Sequence, residues 1–278
     1  MTSKLLIPSR PDLLLEIQDI LSQPDPDPSA IVELIKKDVG LYTVLLAAVN
    51  SPLYRREFLI ESAAHAVAIL GMQRVTNMVR AVALRSAVDP SGQWQAFWDA
   101  AAEVATLCQQ LSARLHCLLP DNAYTLGMMH NIGVPLMRTQ FADYDERIVA
   151  QPTDNAVKIR RAELDAFQLD RFQLASQLAK EWYMGDDLVD ALRLQAHSQA
   201  ALMGKAEVPE SVLQANALLV LAKDISQEYQ NYWNFDSSEE LSPLVVRALA
   251  LLACDSYDYL DIKEDLLQQM SRAETAQH

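Results

Sequence analysis

The sequence predicts an all-α protein, a multi-helix bundle with a further helical stretch at its C-terminal end. Three observations carry this. Apolar residues recur at the helical spacing along nearly the whole chain, and no stretch alternates apolar and polar side chains for more than a few residues. The third is scarcity of glycine: 7 residues in 278, roughly 2.5 % against an average near 7 %. That leaves little for the tight turns of a β protein or for glycine-rich phosphate loops.

The elements follow in order. Gln23-Pro24-Asp25-Pro26-Asp27-Pro28-Ser29 reads as a rigid turn between two helices, with Ser29 as the expected N-cap of the second. Asn50-Ser51-Pro52 should end the third helix, because a residue before proline avoids helical dihedrals. Gly71 reads as a helix C-cap, and beyond it Val75, Met78, Val79 and Val82 fall at i, i+3, i+4 and i+7. Asp89-Pro90-Ser91-Gly92 is the clearest linker. After it Phe97, Ala101, Val104, Ala105, Cys108 and Leu111 make one stripe over four turns. Leu119-Pro120-Asp121 marks the next break. Leu174, Leu178 and Trp182 form a later stripe, bounded by Gly185-Asp186-Asp187 and then by 204–209. In the last segment Leu213, Ala217, Val220, Leu221 and Ile225 are too many apolar residues to leave exposed, so this stretch should pack on the rest. Leu244, Val245, Ala248, Leu249 and Leu252 continue the period.

Composition excludes several function classes. With 37 acidic and 23 basic side chains the net charge is -14, which argues against a nucleic-acid binder, since phosphate neutralisation needs a basic face. From Asp236 onward nine acidic residues stand against three basic ones, or -6, whereas Arg55 to Arg85 holds five arginines against two glutamates, or +3. The longest apolar runs, at 41–49 and 244–254, fall short of the roughly 20 residues that span a bilayer. No signal peptide is legible in MTSKLLIPSRP. Cys108, Cys117 and Cys254 are odd in number and lack a C-x-x-C spacing, which speaks against disulfides and structural zinc. A cytoplasmic chain with no membrane and no nucleic-acid partner is expected.

Among five histidines, His65, His116, His130, His197 and His278, one has a distinctive setting. His130 stands in Leu126-Gly127-Met128-Met129-His130-Asn131-Ile132-Gly133, an imidazole beside a carboxamide between apolar helix and a glycine turn. With Leu136, this string resembles the HD-x-G-x-x-x-L core of HD-superfamily metal phosphohydrolases. The rest of the chain is closer to the HDOD module, a bacterial regulatory relative of those enzymes. Leu34 to Leu41 resembles its I-x-x-D-P-x-L stretch, and Ala48 to Tyr54 its A-N-S-x-x-Y element. Ser62, Ala66 and Ile69-Leu70-Gly71 are similar to S-x-x-x-A-x-x-x-L-G, Phe97-Trp98 to the F-W that opens the next helix, and Ala175 to Trp182 to A-x-x-L-x-x-x-W. The resemblance implies an HDOD module over residues 8–205, with an N-terminal helical part (8–90), a degenerate HD-like part (91–205), and an acidic helical extension at 206–278.

The departures from the enzyme pattern matter most. The family resemblance implies a His, His-Asp and Asp constellation holding one or two divalent metals that activate water. The first histidine is expected just after Phe97-Trp98, where Asp99, Ala100 and Ala101 stand. Asn131 replaces the aspartate with a neutral amide, and Arg171-Phe172 occupies the place of a later histidine beside Asp170. His130, Asp190 and His197 survive as vestigial metal donors, so no metal or other cofactor is expected. No other catalytic string occurs, neither G-x-S-x-G, G-x-x-x-x-G-K-[ST], H-E-x-x-H nor an EF-hand.

These readings predict a non-catalytic signalling module that binds a protein partner through a cleft around Asn50, Ser51, Trp98, His130, Asn131 and His197. Two alternatives stay open. One is a divergent metal-dependent phosphohydrolase acting on a nucleotide or phosphomonoester. The other is a sensor of a nucleotide messenger, with Arg74, Arg80 and Arg85, or Lys158, Arg160 and Arg161, contacting phosphate.

Overall fold

The computed structural model describes residues 7–8, 11–37, 42–43, 45–46, 49–50, 60–150, 155–233 and 241–275. The sequence readings at 38–41, 51–57 (Ser51 among them), 236, 239–240 and 278 lie outside these residues. Helices and turns make up the described residues, with no strand among them, as the periodicity predicts. They fall into two compact units, one of residues 9–90 with 264–278, the other of 1–8 with 91–263.

The first unit contains α1 (Asp12–Leu21), α2 (Pro28–Lys37), α3 (Ala63–Leu70) and α4 (Met72–Val88). Each packs on the next, burying Leu14, Ile17, Ile31, Ile35, Ala66, Val75 and Val79. α2 starts two residues earlier than its sequence signal suggests. Asp27, not Ser29, supplies the capping oxygen, accepting from the Ser29 N–H at 2.8 Å, and Pro28 takes the first helical position. Ser62 caps α3 by accepting from His65 N–H, and Gly71 ends it as read. Asn50 acts as a clasp across the chain. Its Nδ2 donates to the carbonyls of Leu46 (2.9 Å) and Ile60 (2.8 Å), while its Oδ1 accepts from the Ile60 N–H at 2.8 Å.

The second unit is built on α5 (Gln95–Leu115) and α6 (Pro120–Met129), which pair closely. α7 (Gly133–Gln140), a π-turn (Asp145–Val149), α8 (Ala156–Phe167), α9 (Arg171–Glu181) and α10 (Asp186–Leu194) follow. A short turn (Gln195–His197) leads into α11 (Ser198–Leu202), then α12 (Glu210–Ile225), α13 (Gln227–Trp233), α14 (Pro243–Leu251) and α15 (Ser256–Thr275), of which residues 256–263 belong to this unit. α12 is enclosed by α5, α10, α11 and α14. It buries Val212, Ala215, Ala217, Leu218, Leu219, Leu221, Ala222 and Ile225, while Leu213 and Val220 are only half-buried. The stripe read from the sequence was therefore too narrow, because α12 has neighbours on several sides. For the same reason the unit that begins at Ser91 runs through residue 205 without a break, on to Lys263.

Candidate functional site

The site is set by two close helix approaches. A Cβ on Gly127 would overlap the backbone of Ala105, so α6 meets α5 there without a side chain between them. A Cβ on Gly133 would overlap the carbonyl of Arg171, which brings the start of α7 against the start of α9. Glycine at these two positions lets His130, in the turn between α6 and α7, sit next to the helix that carries Arg171.

His130 is 2 % exposed. Its Nδ1 lies 2.5 Å from the Gly127 carbonyl. A carbonyl only accepts, so Nδ1 carries the hydrogen and Nε2 presents a bare lone pair. That Nε2 is buried without a hydrogen-bond partner. The ring of Tyr229 covers the imidazole at 5.6 Å between centroids. Burial, and secondarily the positive charge of Lys223, hold the imidazole well below its usual pKa; the Gly127 contact pulls weakly the other way. His130 is a neutral base in a nearly closed space. Its own carbonyl accepts from Gln195 Nε2 at 2.8 Å, and Gln195 Oε1 in turn accepts from Lys223 Nζ at 3.3 Å.

Arg171 occupies the place where the enzyme resemblance puts a histidine, and the structure shows what it does. Its Nε donates to Glu163 Oε1 at 2.5 Å and its backbone N–H donates to Oε2 at 2.9 Å. Tyr144 donates to the same Oε1 at 2.5 Å. All three side chains are enclosed, Glu163 and Tyr144 at 0 % and Arg171 at 4 % exposure. Burial pushes the Tyr144 hydroxyl well above its ordinary pKa, so it stays a donor. Sequence reasoning missed this triad. Glu163 lies in α8 and Arg171 in α9, eight residues apart across a turn, and no local spacing rule pairs them.

A third feature lies over both. α13 packs on α5, with Tyr232 against Phe97 (5.9 Å), Tyr229 against His130, and Trp233 under the Arg171 guanidinium (5.6 Å). Arg138 of α7 donates to the Tyr232 hydroxyl at 2.6 Å and to Asp145 at 2.6 Å. Glu103 of α5 accepts from Ser226 Oγ (3.0 Å) and from the Gln227 N–H (3.2 Å). One seven-residue helix thus packs over Phe97, His130 and Arg171, the last two at places where the enzyme pattern would have a metal ligand.

The remaining expected site residues are dispersed. Trp98 is 3 % exposed and packs edge-on to Phe97 in the core. Asn131 is buried beside His130, and its carbonyl accepts from Val134 N–H. Asn50 belongs to the other unit, where it forms the clasp described above. Asp190 and His197 are exposed and line an open groove of about 1230 Å³ between α9 and α10. Arg160, Lys180 and Arg193 share that groove with Asp170 and Glu181. Arg160 is engaged with Asp170 at 3.1 Å, and Asp170 also caps α9. His130 is not part of this lining.

The metal set implied by the enzyme resemblance does not fit these residues. A divalent ion needs anionic or imidazole donors converging on one point. Here Asn131 is neutral, Arg171 brings a cation, and His130 offers a single ring nitrogen. Among the described residues no three His, Cys, Asp or Glu side chains gather in a way that could hold a metal ion. Nor is any helix among them long and apolar enough to cross a membrane.

Comparison with known proteins agrees with this architecture. A solved protein of Shewanella amazonensis SB2B, described as a candidate phosphohydrolase, is 25 % identical, with a TM-score of 0.73 over 96 % of this chain and 92 % of that one. An HDOD domain protein of Geobacter sulfurreducens superposes with a TM-score of 0.70 at 19 % identity, covering 98 % and 92 % of the two chains. A protein of Marinobacter aquaeolei VT8, described as a candidate signal transduction protein, gives 0.70 at 20 % identity, over 98 % of this chain and 60 % of that one. An uncharacterized Treponema pallidum protein is 24 % identical over 192 residues, 67 % of this chain, and the match spans 37 % of that relative's length. The HDOD domain pattern itself matches residues 7–198, more than half of the sequence. The chain belongs to the HDOD domain family.

Proposed function

We propose that this chain is a non-catalytic regulatory module that acts by binding a signalling protein. One observation carries the reading: where the resemblance would put an HD enzyme's metal ligands at 130 and 171 there stand a neutral buried imidazole and a buried Arg171–Glu163 pair, and helix α13 packs over both. A buried arginine committed to a carboxylate cannot be exchanged for a metal ligand without leaving an unpaired charge. The open polar face of the same unit is the α9–α10 groove, whose mixture of Lys180, Arg193, Asp190 and Glu181 suits a protein surface of both charge signs.

Affinity capture from the source cells tests this reading. A partner should co-purify with the wild-type chain and with a folded His130→Gln variant, and be lost on the double reversal Lys180→Glu/Arg193→Glu. Capture unaffected by the reversal removes the groove from the account. Stabilisation of the chain by a nucleotide in a thermal-shift screen would favour a messenger over a protein partner. A second reading, a divergent metal-dependent phosphohydrolase acting on a nucleotide or phosphomonoester, draws support from the description of the 25 % identical Shewanella chain. It has to contend with the cation at Arg171.

A further inference from the structure

Covering helix α13 differs from the rest of the unit in how it is held. It has seven residues, far below the roughly 12–15 that make an isolated helix even marginal in water. Its own aromatic side chains, Tyr229, Tyr232 and Trp233, are only half-buried, whereas Phe97, His130 and Arg171 beneath them are closed off. Side-chain contacts that hold it include Ser226 and Gln227 on Glu103, the Tyr232 hydroxyl on Arg138, Lys223 over the Tyr229 ring, Gln230 on the Lys223 and Asp224 carbonyls, and three rings over Phe97, His130 and Arg171. The fit is also imperfect in one place. His130 Nε2 is buried with its lone pair unmet, a penalty that vanishes as soon as water reaches it.

We propose that residues 226–233 are a displaceable latch, an aromatic helix that occupies the degenerate HD face in cis as its intramolecular ligand. This rests on the regulatory reading above and names what fills the face in the resting chain. Closed, the latch shields the imidazole and the guanidinium. Released, it exposes Phe97, His130, Arg138 and Arg171 as a docking face for a helix of the same aromatic character, the kind of segment that already sits there.

The test uses the full chain and reads His130 directly. Diethyl pyrocarbonate modification followed by mass spectrometry gives a rate for each histidine, with exposed His197 as the internal reference. In wild type, His130 should react at least tenfold more slowly than His197. In Tyr232→Ala/Trp233→Ala its rate should rise at least tenfold while far-UV dichroism and the urea midpoint show a folded body. Tyr232→Phe, which deletes only the hydroxyl that Arg138 donates to, should give a rise of about threefold and guards against misfolding of the double variant. A synthetic peptide of residues 224–235 should bind the double variant saturably, restore protection of His130, and bind wild type at least tenfold more weakly. Protection unchanged in both variants, exposure seen only where the whole chain unfolds, or a peptide that fails to restore protection would each overturn the latch. Assaying the released variant for phosphoester hydrolysis keeps the two ideas apart: turnover there contradicts the regulatory reading, whereas loss of the latch is read from protection and peptide binding alone.

Discussion

Arg171 meets Glu163 twice, through its guanidinium at 2.5 Å and through its own backbone N–H at 2.9 Å, in a space that excludes water from both. Breaking such a pair from one side strands a buried charge. Glu163→Gln should therefore cost about 3–5 kcal/mol in urea unfolding. Replacing both ends, as Glu163→Leu/Arg171→Leu with Tyr144→Phe to retire the third partner, should recover part of that loss, because the buried charges are gone while the Arg171 backbone N–H, left without its acceptor, still costs about 1–3 kcal/mol. Tyr144→Phe alone should cost about 1 kcal/mol. A triple variant no more stable than Glu163→Gln would show that the pair contributes more than its desolvation cost.

His130 gives a pH dependence whose sign is fixed. Burial holds its folded pKa well below the value of about 6.5 that the unfolded chain recovers. As pH falls through that value the unfolded state takes up the proton first. The stability this group contributes is complete above pH 6.5 and declines below it, by up to about 1.4 kcal/mol per pH unit. Unfolding free energies at pH 5, 6, 7 and 8 should fall less steeply for His130→Gln than for wild type. Parallel profiles would place the imidazole in contact with water.

Glycine at two positions is a packing requirement. Gly127→Ala and Gly133→Ala each drive a methyl group into backbone, of Ala105 and Arg171 respectively, and each should cost about 3 kcal/mol or more. Gly185→Ala meets no atom within 4 Å and should stay within about 1 kcal/mol of wild type. Urea midpoints of the three variants check the ranking.

How much of this was legible in the sequence depends on the distance between interacting residues. Local rules found the helices, the stop at Gly71 and the family, because each is written within a few residues of itself. They misplaced the α2 cap by preferring Ser29 to Asp27, since both are good capping residues two positions apart. They drew the α12 stripe too narrow, because a helix enclosed on several sides has no single apolar face. His130 stands out in the sequence by its setting between apolar helix and a glycine turn. Its cover, however, comes from Tyr229, 99 positions on, and no periodicity links the two. The absence of the enzyme ligands could be read from letters alone, whereas what replaced them required the packing of α8, α9 and α13.

The three thiols should separate by burial. Cys108 is fully enclosed, and burial pushes it far above its ordinary pKa; Cys117 and Cys254 are raised too but half-exposed. Ellman's reagent at pH 8 should therefore titrate two thiols slowly in the native chain and the third only on unfolding. Rapid labelling of all three would contradict the enclosed core of α5.

The central claim is that the HD-like face of this chain is structural rather than catalytic, and turnover measured with metal content on the same purified chain tests it most directly. With Mn, Fe or Ni supplied and a panel of phosphomonoesters and nucleotides as substrates, the account predicts far less than one metal per chain. Hydrolysis should proceed at the buffer rate and be unchanged by His130→Ala. Stoichiometric tight metal together with turnover that His130→Ala abolishes would contradict it.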